Sequence, residues 1–266
     1  MSDGVILVDK PAGVSSHDVV ASQRRRLGRG VKVSHAGTLD PFATGLLLVL
    51  VGRGTRIQRF LMALPKSYET VARLGWTSTT GDVDGELAPG RMPEEPFRLP
   101  TGTVRQTPPA YSAVKIGGQR AYALARRGEE VNIPEREVEV ERFALQWREG
   151  ERAAFEIECS SGTYVRSLIM DLGDAYCLEL RRTAIGRFEV GDADPERLVP
   201  LDDALDFMPA VELTGDAAKR AAHGVAIPSP PALATGIVRL RDEAGLIALA
   251  EPRPGGLLKP TVGFRG

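Results

Sequence analysis

Sulfur and imidazole are scarce in this chain of 266 residues, and the scarcity narrows its chemistry. The two cysteines, Cys159 and Cys177, are too few and too far apart for a disulfide framework or a zinc knuckle, so they read as free thiols of a reducing compartment. Three histidines, His17, His35 and His223, make a three-histidine metal centre untenable. The sequence has no Walker loop, no dinucleotide-binding glycine fingerprint and no paired-histidine metal motif. Gly81-Asp-Val-Asp-Gly85 lacks the ligand spacing of a calcium loop and reads as a plain turn. Repeats and low-complexity tracts are missing too. No apolar run approaches the ~20 residues that span a bilayer, and the N-terminus lacks the basic-then-apolar layout of a secretory signal. A cytoplasmic protein with no membrane partner, no metal and no cofactor is the expectation.

An excess of one charge is also lacking. The formal net charge is −1, which at first sight argues against a polyanionic partner. The distribution is less even. Residues 1–60 carry nine Lys/Arg against four Asp/Glu and residues 105–136 six against three, whereas residues 137–210 carry eight against seventeen. Binding a phosphate backbone needs a local basic surface rather than a high overall pI, so the asymmetry permits an RNA partner.

Apolar content of 42% and charged content of 26% are those of an ordinary globular protein with material for one or two domains. Val5 to Asp9 reads as a strand, and Ser16 can cap a helix reaching to about Leu27. Tyr68 to Leu74, Glu137 to Phe143 and Ala153 to Cys159 alternate as half-exposed strands. A helix carrying Tyr164, Val165, Leu168, Ile169 and Leu172 follows the break at Ser160-Ser-Gly162. Tyr111 to Arg127 mixes aromatic and basic residues around Gly117-Gly118, suggesting a mobile, partly helical insertion. Past residue 211 come a short helix at 214–224, a loop-like Pro228-Ser-Pro-Pro231, and a hairpin from Ile237 to Ala250 turning at 242–245.

The most informative stretch is His35-Ala-Gly-Thr-Leu-Asp-Pro-Phe-Ala-Thr-Gly45. It sets Asp40 just ahead of Leu46 to Val51, an unbroken apolar run that reads as a strand buried on both faces. Pro41 pushes Asp40 away from mid-helix backbone. Two readings are open on local chemistry: a helix N-cap with proline at the first helical position, or a functional carboxylate on a loop held by a core strand.

The same string resembles the catalytic motif of the pseudouridine synthases, and specifically of the TruB family, the bacterial tRNA pseudouridine-55 synthases. Gly4-Val-Ile-Leu-Val-Asp-Lys-Pro-Ala-Gly-Val-Ser-Ser16 is similar to that family's opening motif, and Lys66-Ser-Tyr68 with Ala72-Arg-Leu-Gly75 to its tyrosine motif. Pro108-Pro-Ala-Tyr-Ser-Ala-Val-Lys115, Ser161-Gly-Thr-Tyr-Val-Arg166 and Leu180-Arg-Arg-Thr183 match three further blocks in order. Across about 180 residues, these ordered motifs are far more specific than any one alone.

The resemblance implies an α+β pseudouridine synthase fold: a mixed, largely antiparallel central sheet flanked by helices and loops, plus a small C-terminal PUA-like β-domain. It divides the chain into a catalytic domain, 1–210, with an RNA-gripping insertion at about 108–136, and an RNA-binding domain, 211–266, expected to pack on it. The implied activity isomerises uridine 55 in the tRNA T-loop: the base is flipped out, its glycosidic bond cleaved, the base turned and rejoined through C5. Asp40 matches the essential carboxylate. An acid so placed can add to the sugar, add to the base, or take a sugar proton to leave a glycal, the last being favoured here. Arg166 matches the arginine paired with it, Tyr68 the tyrosine that stacks on the base and assists proton removal, and Tyr164 and Leu180 the walls of the uracil pocket. His35 matches the histidine that fills the vacated stack. Lys10 and Pro11 read as braces of the active-site loop. Where relatives carry a further acid, this chain has Thr79, so only Asp82 is retained there. The partner implied is the T-stem and T-loop of tRNA, bound by a monomer with no obligatory protein or guide-RNA partner. A non-catalytic RNA chaperone and a guide-RNA-dependent relative are the competing readings.

Overall fold

A computed structural model describes residues 3–112, 114–129, 131–230 and 236–265. Pro231 of the loop-like stretch, and Ala113 and Glu130 of the insertion, lie outside them. One mixed sheet dominates. Its strands follow the spatial order Asp194–Pro200, Gly4–Lys10, Thr44–Val51, Ala175–Ile185, Lys66–Leu74, Arg152–Cys159, Arg136–Glu149 and Gly102–Gln106. Off this path, Val33–Ala36 pairs with Thr44–Val51 and Phe188–Glu189 with Ala175–Ile185. Along the path each pairing is antiparallel but one: Thr44 and Gly45 run parallel to Arg181 and Arg182. This short parallel seam joins the two halves of the sheet.

The run from Leu46 to Val51 is the strand its composition predicts, with each residue no more than 2% exposed. Its alternation feeds two cores. Leu46, Leu48 and Leu50 pack with Ile57, Leu61, Leu201 and Leu205. Leu47, Val49 and Val51 face Val19 and Val20 of the helix Ser16–Leu27. Each buried aliphatic side chain contributes roughly 1.5–3 kcal/mol, so this strand anchors whatever precedes it. No helix follows Asp40, which excludes the N-cap reading.

One cap is displaced by a residue. Ser15, not Ser16, is the N-cap: it accepts from the Asp18 N–H, and the Asp18 carboxylate accepts from Ser15 in return, forming a capping box. Ser16 is thereby freed to turn inward. The helix at Tyr164 is shorter than its apolar spacing suggests, Val165–Met170, with Leu172 beyond its end. The insertion is partly helical, with a hairpin of Lys115–Ile116 and Gln119–Arg120 ahead of the helix Ala121–Ala125. Cys159 and Cys177 are buried and free, and burial pushes their thiols up to about 11 and about 12. No helix among the described residues is long and apolar enough to cross a membrane.

From residue 210 onward the chain builds a second sheet, in the order Ala210–Glu212, Val238–Asp242, Gly245–Arg253, Leu257–Gly263, Ile227–Pro228, covered by the helix Gly215–Ala222. Its strands Val238–Asp242 and Gly245–Arg253 form the expected hairpin. Leu246, Leu249 and Phe264 enter the same core as Leu46, Leu48 and Leu50. Arg53 and Arg56 donate across to the carbonyls of Phe264 and Gly263.

The seam depends on Gly45. Its φ is +103°, and a Cβ there would meet the Arg182 carbonyl oxygen at 2.2 Å and its nitrogen at 2.7 Å. Gly45→Ala should therefore lower stability by on the order of 3 kcal/mol. Urea unfolding measures it; a loss below about 1 kcal/mol would mean the two strands part without cost.

Candidate active site

Asp40 sits in the loop between Val33–Ala36 and Thr44–Val51, and buried polar groups tie that loop down from several directions. The inward hydroxyl of Ser16 donates to the Leu39 carbonyl at 3.0 Å and accepts the Leu39 N–H at 2.8 Å. Lys10, fully buried, donates from Nζ to the carbonyls of Pro11 (2.9 Å), Val14 (2.8 Å) and Pro41 (3.2 Å). The Gly13 N–H meets the same Pro41 carbonyl at 2.9 Å. Arg182, 1% exposed, donates from Nε to the Leu46 carbonyl at 2.7 Å and from Nη2 to that of Gly37 at 3.1 Å. Lys10 is thus a brace, as its motif implies, and burial pushes its ammonium down.

Arg166 reaches Asp40 from the opposite wall. Its Nε lies 3.0 Å from Asp40 Oδ2, an ion pair without the alignment of a hydrogen bond. Aligned bonds go elsewhere: Nη1 donates to Asp82 Oδ2 at 2.9 Å and to the Thr80 carbonyl at 2.7 Å, and Nη2 to the Tyr111 carbonyl at 2.9 Å. Asp82, 4% exposed, is completed by the Thr80 hydroxyl and the Asp84 N–H. One buried guanidinium therefore serves two carboxylates. Burial pushes Asp40 up, Arg166 pulls it down, and Asp82 pushes it up again, with a raised pKa as the outcome.

A cavity of about 240 Å³ opens above Asp40, and Tyr68, Tyr164, Arg166, Leu180, Arg136 and Arg182 share its wall. Gln106 holds Tyr164 in place at both its N–H (2.7 Å) and its carbonyl (2.9 Å). Five of the six residues singled out in the sequence thus converge on one space. The sixth, His35, does not line it; it stands on Val33–Ala36, two residues before the lining Gly37, with its carbonyl held by Gln58 Nε2 at 2.9 Å. Burial, then Arg182, pushes the His35 imidazole down toward its neutral form. Burial pushes Tyr68 up, against Arg182 pulling the other way. A larger hollow of about 650 Å³ lies beside Trp147, Glu69 and Glu156, but of these site residues it touches Leu180 alone. The smaller space is the one that gathers the candidate residues.

Asp82 and Arg182 are the site groups that sequence reasoning passed over. Asp82 gave a signal, an acid retained in a turn, but its partner lies 84 residues away.

A carboxylate and an arginine thus face each other beneath a cavity walled by two tyrosines and a leucine. Residues 24–165 match the model for TruB family pseudouridylate synthase (N terminal domain). A tRNA pseudouridine synthase B of Thermobifida fusca is 41% identical, with all of both chains covered. Another, of Ectopseudomonas mendocina, is 37% identical over 97% of this chain and 94% of that one. A third, from Mycobacterium tuberculosis, is 40% identical over 85% and 84%. The chain belongs to the TruB family. The fold is also that of a chain in an H/ACA RNP bound to a substrate RNA containing 2′-deoxyuridine (TM-score 0.72, 23% identity, 99% of this chain and 85% of that one). A chain of a Cbf5-Nop10-Gar1 complex gives a TM-score of 0.70 at 25% identity, covering 99% and 84%.

Two substitutions test the shared arginine. Arg166→Lys keeps the charge but cannot span both carboxylates, so turnover should fall about 100-fold, equivalent to about 2.7 kcal/mol. Asp82→Asn removes a charge that raises Asp40, so the acid limb of the pH–rate profile should move to lower pH. An unchanged limb would show that Asp40 does not feel Asp82.

Proposed function

We propose that this chain is a tRNA pseudouridine synthase that isomerises uridine 55 of the T-loop, with Asp40 as the essential carboxylate. The observation that carries the reading is a single raised carboxylate at the floor of a cavity of about 240 Å³, faced by Arg166 and walled by Tyr68, Tyr164 and Leu180. The names of relatives that are 37–41% identical support tRNA as the substrate.

The reaction breaks N1–C1′, turns the uracil and forms C5–C1′; the proton lost from C5 is balanced by one gained at N1. A carboxylate with a raised pKa is a stronger base than an ordinary aspartate. That favours the route in which Asp40 takes the C2′ proton as N1–C1′ breaks, and returns it as C5 bonds to the sugar. Arg166 keeps Asp40 ionised enough to act and holds its position. Tyr68, with its phenol pushed up, stays protonated near neutral pH and serves as a stacking wall rather than a base. Tyr164 and Leu180 complete the slot for the ring.

Extracting the base costs stacking, roughly 1–3 kcal/mol. A neutral His35 at the edge of the loop can recover part of it by filling the gap. The insertion at 108–136 grips the T-stem and T-loop, within a catalytic domain of residues 1–210. Residues 211–266 form a PUA-like RNA-binding unit. The protein acts as a cytoplasmic monomer without a guide RNA.

Purified protein on an unmodified tRNA transcript, assayed for pseudouridine, tests the whole reading; no turnover without an added RNA or protein would favour the guide-dependent alternative. Asp40→Asn should bind tRNA normally and form no product. It should also be as stable as the parent or more so at neutral pH. A folded pKa raised above 3.8 means the ionised carboxylate costs stability above that folded pKa, a cost that disappears as pH falls below 3.8. Melting curves of both proteins should therefore converge at low pH. A parent more stable than the variant at pH 7 would contradict the raised pKa.

His35→Ala should slow product formation on folded tRNA about tenfold, the equivalent of the stacking lost. On a short unstructured RNA with the same nucleotides the loss should be slight. Equal losses on both RNAs would remove His35 from the flipping step.

A further inference from the structure

Four cations line the cavity above Asp40, and three of them are committed inside the protein. Arg166 is held by two carboxylates and two carbonyls. Arg182 donates to the carbonyls of Leu46 and Gly37, and Lys66 to those of Met62 and Leu64. Arg136 differs. It stands at the start of the strand Arg136–Glu149, where the insertion returns to the sheet, and it is only half-buried where the other three are buried. Its guanidinium carbon lies 4.8 Å from the centroid of the Tyr164 ring, and Nη2 donates to the Gly162 carbonyl. Its Nε is buried and has no hydrogen-bond partner.

The cavity is smaller than the ~300–1,000 Å³ of sites that enclose a drug-sized ligand. It can take a base with part of its sugar, and the phosphates on either side of that nucleotide must remain at the mouth. A planar guanidinium with a full charge and an unanswered donor is the group that pairs with a phosphate through two parallel bonds. The cation–π contact with Tyr164 keeps the Arg136 guanidinium beside the cavity, and a single carbonyl contact is a small loss on exchange for an anion.

We infer that Arg136 is the positioning residue that binds the phosphodiester adjoining the flipped uridine, clamping the nucleotide across the mouth while its base rests against Tyr164. The inference rests on the reading of Asp40 as a pseudouridine synthase carboxylate.

Equilibrium binding of the full chain to T-arm stem-loops, each carrying one uncharged methylphosphonate linkage beside the target uridine or at a distant control position, tests it. Neutralising the adjoining linkage should weaken parent binding about tenfold, the scale of one charge-assisted contact. Arg136→Met should lose about as much on the all-phosphate RNA and nothing further on the neutral one. Its salt slope should fall by about 0.7, the share of one single-strand phosphate. Arg136→Lys should restore the slope without restoring full affinity. In turnover, KM should rise in Arg136→Met far more than the saturating single-turnover rate falls. If the two losses add in full at every linkage, or if Arg136→Met loses thermal stability and rate with unchanged affinity, the clamp is overturned and Arg136 merely packs Tyr164. Parent protein that binds these RNAs but turns none over would sink the proposed activity instead, and the binding cycle would still decide on Arg136.

Discussion

Two strands that nearly touch hold this molecule's site together. Thr44–Val51 and Ala175–Ile185 meet in parallel for two residues at Gly45 and Arg182, close enough that no side chain fits between them. From that contact Arg182 reaches back under the Asp40 loop to the carbonyls of Gly37 and Leu46. Its positive charge is met by backbone dipoles and not by an acid, so its field extends into the surroundings. Burial, with Arg182 adding to it, pushes Lys10, His35 and Lys66 down, whereas on Tyr68 burial pushes up and Arg182 pulls against it. The seam therefore fixes both the position of the carboxylate loop and the sign of the field around it, a field suited to a polyanion.

Within that field Asp40 is held in a compromise. Full pairing with Arg166 would lower its pKa and its basicity; isolation would leave it protonated. The geometry lies between these, because Arg166 gives its aligned bonds to Asp82 and to backbone, and offers Asp40 an edge. Asp82 therefore does two jobs at once: it compensates the buried guanidinium, and it limits how much of that charge Asp40 receives. Burial thus disfavours the ionised form of Asp40 more than Arg166 favours it.

Much of this was legible in the sequence where periodicity or a turn decided it. The buried run 46–51, the alternation of Lys66–Leu74 and the C-terminal hairpin follow from pattern alone. Convergence of Asp40, Tyr68, Tyr164, Arg166 and Leu180 followed from ordered motifs. What escaped was decided by tertiary contact. Ser15 and Ser16 are equally good caps on paper, and the inward demand of Leu39 selects between them. Arg181 and Arg182 are adjacent, yet strand alternation sends one out to Asp9 and the other into the core. His35 is near Asp40 in sequence but falls outside the cavity wall, since two residues of extended strand carry it away.

The C-terminal sheet shows the limit of reading units from composition. Some 55 residues are marginal as an independent fold, and the packing bears on why they persist. Leu246, Leu249 and Phe264 belong to the same core as Leu46, Leu48 and Leu50, and Arg53 and Arg56, just beyond that strand, bond to the carbonyls of Phe264 and Gly263. The tail thus contributes to one of the two cores that the strand after the Asp40 loop feeds. Losing that contribution would expose aliphatic surface worth roughly 25 cal/mol per Å² beneath the loop that carries the carboxylate. A segment that touches no proposed reacting group thus shares a hydrophobic core with the strand behind Asp40.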